Sequence, residues 1–390
     1  MAATEKGVWD LQDVRDKQLA SEWTYDAPSG DAGKLFMWGR NDEAGQLGVN
    51  DIVTRSSPIQ VGTDQDWQSV GVGRYVIAGV RGNKLYTWGP AGHGALGLNG
   101  PTNVAQSSPT QVGTDTDWSK VGPGGSNQGI AIKTNGTLWS WGYNAYGSLG
   151  HNDQVKQSSP TQVGTDTTWS EAAIVESYIA NAIKTDGTYW VWGYNGIGVL
   201  GQNQVNTHYS SPKQIPGTWS NFAGGYQIAG GVKTDGTLWC WGDGGYGSTG
   251  QNDNVDRSSP TQVGTDTTWS KLRQGYHTNL ALKTDGTIWT WGQGNDGMLG
   301  RPDDNLEVSS PTQVGTDTTW TNVDTTMQNM YATKTDGTLW TWGAKDYGML
   351  GLNQNNVAYS SPTQIGSGTN WSLGVIRQSD QGSYVGAIIA

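Results

Sequence analysis

The chain consists largely of nearly identical repeats, and one loop in each repeat varies in sequence. Tyrosine, histidine, arginine and amide side chains recur in that variable loop. The segment SSPTQVGTDTTW stands at 158–169, 258–269 and 309–320, whereas the loop beyond each copy differs. Tyrosine offers a flat apolar face and a hydroxyl, so these loops suit recognition of a protein or a sugar. Ordinary sequence drift in loops that bind nothing is the alternative. The candidate binding residues are Arg74, Tyr75, Asn127, Tyr178, Tyr226, Tyr276, His277, Gln328 and Tyr384.

Catalytic and metal-binding patterns are missing from the sequence. The four histidines are scattered, and Cys240 is the single cysteine, so no His-Glu-x-x-His or paired-cysteine zinc site can be drawn. There is no Gly-x-Ser-x-Gly nucleophile elbow and no phosphate-binding loop. We therefore expect no enzyme activity, no metal and no cofactor.

Charge and hydropathy exclude two classes of partner. The formal net charge is −11, and Lys and Arg form no basic run, so we expect no nucleic-acid partner. No stretch of 18 apolar residues exists, so we expect no membrane insertion. The first residues, MAATEKGVWD, have neither the basic nor the apolar region of a signal peptide.

The elements that must position the variable loops are marked by a repeated motif, Trp-Gly followed by Gly-x-Leu-Gly. A period near 50 residues indicates a closed ring or a solenoid of small sheet units. The motif occurs seven times, and its Trp-Gly pairs begin at Trp38, Trp88, Trp141, Trp192, Trp241, Trp291 and Trp342.

One repeat, residues 107–150, predicts four short strands. Asn135-Gly136 lies between two β-like runs and predicts a two-residue hairpin with both turn residues at positive φ. Trp139 and Trp141 are two residues apart, so they share one strand face and form a wedge between neighbouring sheets. Four-stranded units in a ring predict an all-β, seven-bladed β-propeller over residues 31–390.

The two ends of the chain together complete one blade. The segment from Trp371 to Ala390 supplies two strand-like runs but lacks their hairpin partner. Lys34 to Gly39 has the sequence of that partner. We therefore expect N- and C-terminal strands to share a blade, which closes the ring and removes open sheet edges.

The repeated motif resembles that of the regulator of chromosome condensation repeat family, from about residue 33 to the end. The resemblance implies a seven-bladed propeller. The family's founder exchanges nucleotide on a small GTPase and binds nucleosomes, and other members inhibit β-lactamases. Because this chain is acidic and has no basic tail, the resemblance transfers the fold rather than one function.

Residues 1–30 lie outside the repeats and form a predicted docking segment. Leu11, Val14, Leu19 and Trp23 have roughly helical spacing, and Trp9 precedes them. A helix packed on the propeller's side is the alternative. The stretch GVWDLQDVRDKQLASEW resembles the N-terminal segment of structural proteins from tailed phages of marine bacteria, which implies a virion component.

Three functional hypotheses follow. The first is a phage structural protein (capsid decoration, head fibre or tail fibre), located in the virion, assembled in the host cytoplasm and attached to other virion proteins through residues 1–30. Its propeller would face a host-surface glycan or protein. The second is a soluble binding module, lectin-like or a protein inhibitor, that acts through the loop ring. The third, an enzyme or GTPase exchange factor, has no supporting motif.

Overall fold

The computed structural model describes residues 33–100, 104–175, 178–302, 306–355, 357–372 and 384–389 as seven four-stranded antiparallel sheets. Each sheet is one blade, and adjacent blades contact one another through their first strands. The predicted seven-bladed, all-β propeller is confirmed. The predicted docking segment, residues 1–30, lies outside the described residues.

The strands of the first four blades are as follows. Blade 1 contains Leu35–Gly39 (β1), Arg55–Gln60 (β2), Trp371–Ser372 (β27) and Tyr384–Ile389 (β28). Blade 2 contains Trp67–Val72 (β3), Ile77–Arg81 (β4), Lys84–Gly89 (β5) and Gln106–Gln111 (β6). Blade 3 contains Trp118–Val121 (β7), Gln128–Lys133 (β8), Leu138–Gly142 (β9) and Gln157–Gln162 (β10). Blade 4 contains Trp169–Val175 (β11), Ile179–Lys184 (β12), Tyr189–Gly193 (β13) and Tyr209–Ile215 (β14).

The remaining blades repeat the pattern. Blade 5 contains Trp219–Gly224 (β15), Ile228–Lys233 (β16), Leu238–Gly242 (β17) and Arg257–Gln262 (β18). Blade 6 contains Trp269–Gln274 (β19), Thr278–Lys283 (β20), Ile288–Gly292 (β21) and Val308–Gln313 (β22). Blade 7 contains Trp320–Thr325 (β23), Asn329–Lys334 (β24), Leu339–Gly343 (β25) and Tyr359–Gln364 (β26). Short 3₁₀ turns follow the third strand at Gly92–Gly94, Ala145–Gly147, Gly245–Gly247, Asn295–Gly297 and Asp346–Gly348.

Blade 1 is built from both ends of the chain, as the sequence predicts. Its strands lie in the order β2-β1-β28-β27, and Leu35 pairs with Ile388 while Trp38 pairs with Val385. The first strand of each blade lies nearest the ring axis, because strand contacts between blades join first strands to first or second strands, and the fourth strand lies on the rim. The rim strands carry the Ser-Ser-Pro segment. Proline has no backbone N–H to donate, and an edge strand tolerates this because one of its sides is not paired in the sheet.

The hairpin between the second and third strands differs from the predicted turn. Gly136 has φ +76°, but Asn135 is not at positive φ, and the N–H of Lys133 donates to the carbonyl of Thr137. This is a three-residue loop that ends in a left-handed glycine. The Asn135 side chain explains the difference, because its Oδ1 accepts the N–H of Thr137 at 3.1 Å. The two-residue form with both φ positive occurs instead in blade 2, at Gly82-Asn83.

The Trp-Gly motif of one repeat is joined to the Gly-x-Leu-Gly motif of the repeat before it. In every blade the tryptophan donates its indole N–H to the carbonyl oxygen of residue x in the neighbouring blade, at 2.6 to 3.1 Å. The pair Trp38–Met349 joins blade 1 to blade 7 in the same way as the other six. We call these seven bonds the tryptophan belt, since they connect every blade to the next around the ring.

The last glycine of Gly-x-Leu-Gly is required by the belt. Gly150 has φ +82°, and a Cβ placed there would lie 2.9 Å from Nε1 of Trp192 and 3.0 Å from Cγ1 of Val163. Any larger residue would therefore displace the next blade's tryptophan. The Trp-Gly and Gly-x-Leu-Gly motifs therefore reflect one contact between two successive repeats.

The hydrophobic core lies between the blades rather than within each one. Ala78, Val80 and Leu85 of blade 2 pack with Trp118 and Trp141 of blade 3 in a typical cluster. Trp141 is fully buried in this interface, whereas Trp139 on the same strand face lies half-buried nearer the rim. The predicted wedge is therefore formed chiefly by Trp141.

A lysine at the end of the second strand is held between two tryptophan rings. In blade 6, Nζ of Lys283 lies 4.6 Å from the ring centroid of Trp269 and 4.0 Å from that of Trp289. Asp266, from the turn that precedes the first strand of the blade, accepts a hydrogen bond from the same ammonium group. Equivalent lysine, tryptophan and aspartate groups occur in blades 3, 4 and 7. Such cation–π contacts stabilise the hairpin ends of the blades.

Near the axis, one blade interface contains a buried ion pair. Arg273 of blade 6 and Asp324 of blade 7 lie on adjacent first strands, with Nε and Oδ1 3.4 Å apart. Their side chains are only 8% and 3% exposed. The corresponding positions of the preceding blades are small residues, as at Gly71 and Ala223. This ion pair therefore distinguishes the interface between blades 6 and 7.

Candidate recognition surface

Two sets of loops meet at one end of the propeller. In an antiparallel meander, the loops from first to second strand and from third to fourth strand lie at the same end of the sheet. We call this end the loop face, and the end with the hairpins between second and third strands the hairpin face. The variable loops predicted to bind a ligand are all of the first kind, so they belong to the loop face.

The structure places the predicted binding residues as follows. Eight of them lie in first-to-second-strand loops on the loop face, and Gln328 is exposed whereas His277 is buried. Tyr384 differs, because it is the first residue of β28 and pairs with Gly39. The eight loop residues are Arg74, Tyr75, Asn127, Tyr178, Tyr226, Tyr276, His277 and Gln328. The predicted docking residues Trp9, Leu11, Val14, Leu19 and Trp23 are outside the described part of the chain.

Three of these residues form one cluster across blades 5 and 6. The rings of Tyr226 and Tyr276 are stacked, with centroids 4.3 Å apart. His277 meets Tyr276 edge-on at 4.5 Å, and Tyr246 covers it at 4.9 Å. A backbone bond from Tyr226 N–H to the carbonyl of Gly275 ties the two blades together beneath the rings. We call these four residues the tyrosine cluster.

A longer row of rings crosses blades 2, 3 and 4. Tyr178 lies 6.2 Å from Tyr143 and 5.2 Å from Tyr146, centroid to centroid. Tyr146 continues to Tyr194 at 5.0 Å. His208 and His93 extend the two ends, at 5.1 Å from Tyr194 and 4.8 Å from Tyr143. We call these six residues the aromatic strip: His93, Tyr143, Tyr146, Tyr178, Tyr194 and His208.

Backbone hydrogen bonds fix the two sets of loops against each other. The carbonyl oxygen of Tyr178 accepts the N–H of Tyr194 at 2.8 Å, and that of Asn127 accepts the N–H of Tyr143 at 2.9 Å. Each bond joins a first-to-second-strand loop to the start of the third-to-fourth-strand loop in the same blade. The rings of the strip therefore stand on anchored backbone rather than on free loop tips.

Most residues of the strip were missed by sequence reasoning because they stand within the repeated motif. Tyr146, Tyr246 and Tyr347 each come directly before the first glycine of Gly-x-Leu-Gly. A Tyr-Gly at this point could have served as the signal, because the neighbouring repeats have His93, Ile197 or Asp296 there instead. Sequence differences within the repeated motif thus identify surface residues, just as sequence differences between the variable loops do.

The three motif tyrosines have an uncommon backbone conformation. Tyr146, Tyr246 and Tyr347 have φ of 60°, 57° and 52°, in the left-handed region that bulky residues rarely adopt. Their exposed fractions are 37%, 39% and 46%, so burial of the rings does not compensate for that conformation. His93 and Asp296, at the same motif position, have φ of 56° and 53°, so the conformation belongs to this turn of the repeat.

The two ends of the strip lie in segments of the chain without charged side chains. Between Pro90 and Thr114, and between Gly187 and Pro212, there is no Asp, Glu, Lys or Arg. Burial lowers the pKa of His208, and burial also lowers the pKa of His277 despite the opposing charge of Asp243. Both imidazoles are therefore uncharged at neutral pH. The strip presents ring faces, phenolic hydroxyls and the neutral imidazole of His208.

Metal and membrane sites were also sought in the described ranges. Within them, no group of three or more His, Cys, Asp or Glu side chains is arranged to hold a metal ion. The same part of the chain contains no helix with the length and apolarity that a membrane crossing requires. Burial raises the pKa of the Cys240 thiol strongly, so this cysteine is not a reactive thiolate.

Comparisons with known proteins agree with this architecture. The ultraviolet-B receptor UVR8 of Arabidopsis thaliana is 27% identical over 223 residues, which cover 53% of this chain and 47% of the receptor. The human probable E3 ubiquitin-protein ligase HERC6 is 31% identical over 179 residues, covering 43% of this chain and 17% of the ligase. The chain thus spans less than half the length of either relative.

Solved structures extend the likeness to nearly the whole fold. Human WBSCR16 superposes with a TM-score of 0.79 at 17% identity, covering 92% of this chain and 100% of that chain. Prp20p of Saccharomyces cerevisiae superposes with a TM-score of 0.76 at 18% identity, covering 96% and 94%. A model of the RCC1-like domain matches residues 34–384, and with these seven linked blades the chain belongs to the RCC1-like domain family.

Proposed function

We propose that this propeller is a binding module that holds a macromolecular partner on its loop face. The observation that carries the proposal is the contact between aromatic side chains from different blades, in the aromatic strip and the tyrosine cluster. Tyrosines supply contact area at a low cost in side-chain entropy, and they are enriched among the residues that dominate binding energy.

The backbone beneath these rings favours binding without rearrangement. The loops are tied by backbone hydrogen bonds, and the exposed Tyr146 ring is packed edge-on against both Tyr178 and Tyr194. A surface already arranged in this way loses little conformational freedom when a partner docks. Among the described residues, this surface has no group of three or more His, Cys, Asp or Glu side chains that could hold a metal ion.

The relatives give support at the level of the family. Yeast Prp20p has binding properties towards Gsp1p and histones, and a further structure shows Kap60 bound to yeast RCC1. These names concern those proteins, and their identity to this chain is low. They support the use of this fold as a platform for macromolecular partners.

Site-specific photo-crosslinking tests the proposal. A photo-reactive phenylalanine analogue at Tyr146 should capture a partner from an extract of the source culture, whereas the same group at Asp186 on the hairpin face should not. Unlabelled wild-type chain should compete for the capture, and the Tyr146→Asn/Tyr194→Ala chain should not. Equal capture from both faces, or equal competition by both chains, would contradict a role for the loop face.

A virion role is a second proposal, supported by the resemblance of the stretch GVWDLQDVRDKQLASEW, residues 7–23, to the N-terminal segment of phage structural proteins. The relatives described above are not virion proteins, so this proposal depends on the N-terminal segment alone. Quantitative mass spectrometry of purified particles tests it: many copies would support a head decoration and few a tail component. Absence from particles would overturn it. If residues 1–30 dock the chain, their deletion should abolish particle association and leave the propeller folded.

A further inference from the structure

We propose that the aromatic strip binds an extended, neutral oligosaccharide chain. This inference rests on the proposed function, because it names the chemistry of the partner that the loop face recognises. The strip differs from the tyrosine cluster, in which the rings of Tyr226 and Tyr276 cover each other and the central His277 is buried.

The shape of the strip fits a chain rather than a small compact ligand. Its rings form a row across three blades, each in contact with the next at 4.8 to 6.2 Å between centroids. Successive sugar units present apolar C–H faces that pack on aromatic rings, so a row of rings offers several such contacts in sequence. Tyr146 lies in the middle of the row and contacts Tyr178, Tyr194 and His208.

The charge of the strip favours a neutral ligand. The loops that contribute its two ends lie in segments without a charged side chain, from Pro90 to Thr114 and from Gly187 to Pro212. A ligand with acidic or basic groups would find no counter-charge in these segments and would still lose hydration on docking. The charge-free segments at the two ends of the strip therefore favour an uncharged chain.

The polar atoms of the strip match hydroxyl groups. The Nδ1 atom of His208 accepts the backbone N–H of Asn195 at 3.0 Å. Because Nδ1 accepts this N–H, the ring proton resides on Nε2, which is then a hydrogen-bond donor. Tyrosine hydroxyls donate and accept, so the strip combines apolar faces with donors and acceptors at their edges. Sugar units have the same combination of C–H faces and hydroxyl edges.

The test uses the full chain and three variants. Tyr146→Asn and Tyr194→Ala remove rings from the strip, and asparagine tolerates the left-handed backbone at position 146. Tyr347→Asn is the matched control, because Tyr347 has the same motif position and conformation in blade 7 but lies outside the strip, beside Arg40. Thermal unfolding of each variant confirms that it is folded.

Binding is screened on an array of neutral gluco-, galacto-, manno-, xylo- and N-acetylglucosamine oligomers, with sialylated and sulfated oligomers included, and is quantified by calorimetry. We expect a neutral oligomer to bind the wild type and Tyr347→Asn alike, and each strip variant to bind it at least ten-fold more weakly.

Three results would overturn the inference: preference for acidic oligomers, equal weakening in the Tyr347→Asn control, or no neutral oligomer bound while Tyr146 still cross-links to a protein. The last result would leave the binding function of the loop face intact and replace the glycan by a protein partner. Failure of both the array and the cross-linking would overturn the two proposals together.

Discussion

The indole N–H of Trp141 donates a 2.8 Å hydrogen bond to the carbonyl oxygen of Ala95, in the preceding blade. Trp141 begins the Trp-Gly motif of its repeat, and Ala95 is residue x in the Gly-x-Leu-Gly motif of the repeat before. The two halves of the sequence signature are therefore donor and acceptor of one inter-blade bond.

Replacing Trp141 by phenylalanine should destabilise the propeller. The buried Ala95 carbonyl would lose its partner, which costs about 1–3 kcal/mol, and the smaller ring would leave a void. Urea unfolding followed by circular dichroism measures the loss. Trp139→Phe is the matched control, since the Trp139 N–H bonds Thr137 within its own half-exposed hairpin. An equal loss in both variants would contradict the importance of the belt.

A pair of glycine substitutions separates backbone strain from steric conflict with the belt. Gly150→Ala and Gly164→Ala both place alanine at positive φ, but the new Cβ meets Trp192 only in the first. We expect about 1–2 kcal/mol from the backbone in both variants, and a further loss of about 1–3 kcal/mol from overpacking in Gly150→Ala. The difference in free energy of unfolding is the informative quantity, and a value near zero would contradict the steric argument.

Acid should weaken the hairpin face in a defined range. The Lys283 hydrogen bond, together with bonds from Thr268, lowers the pKa of Asp266 from 3.8 to about 2, and Lys334 and Thr319 do the same for Asp317. Because the folded pKa is the lower one, the stabilisation is complete above about pH 4 and is lost as pH falls towards 2.

Urea midpoints measured between pH 5 and pH 2 check this expectation. Lys283→Met should reduce the decline by removing the main cause of the Asp266 shift, while the Asp317 contribution remains. Lys120→Met, which removes a lysine that donates to a backbone carbonyl, that of Ser170, should leave the decline unchanged. An unaltered pH profile in Lys283→Met would contradict the assignment.

The buried pair Arg273–Asp324 should respond differently to single and double substitution. Asp324→Ala leaves a buried guanidinium without its counter-charge, which costs about 3–5 kcal/mol. Arg273→Met/Asp324→Leu replaces both charges by apolar groups and should recover much of that loss. A double-mutant cycle of unfolding free energies measures the coupling, and additive losses would show that the two side chains act independently.

The fold could be predicted because each repeat contains the residues that form its strands and pack it against the next blade. The spacing of the tryptophans gave the blade number, and the matching sequences near Lys34 and Ile388 gave the shared first blade. The hairpin type was wrong at Asn135-Gly136, because a side-chain hydrogen bond selected another turn.

The recognition surface was only half visible from the sequence. Variation between repeats pointed to Tyr178, Tyr226 and Tyr276, which the structure places on the loop face. Tyr146 and Tyr194 escaped notice because they stand inside or beside the copied motif, and the contacts of Tyr146 with Tyr178 and Tyr194 cross a blade boundary. Distances between aromatic rings of different blades depend on the assembled ring, so they could not be predicted from the sequence of a single repeat.

The tryptophan belt joins all seven blades through one repeated contact. Every blade donates an indole N–H to the preceding blade and offers a carbonyl oxygen to the following blade. The junction of blades 7 and 1 follows the same rule through Trp38 and Met349. No junction depends on where the polypeptide starts, so a circular permutant opened in any rim loop retains all seven bonds. One contact thus serves every junction of the ring, while the loop face differs in sequence from blade to blade.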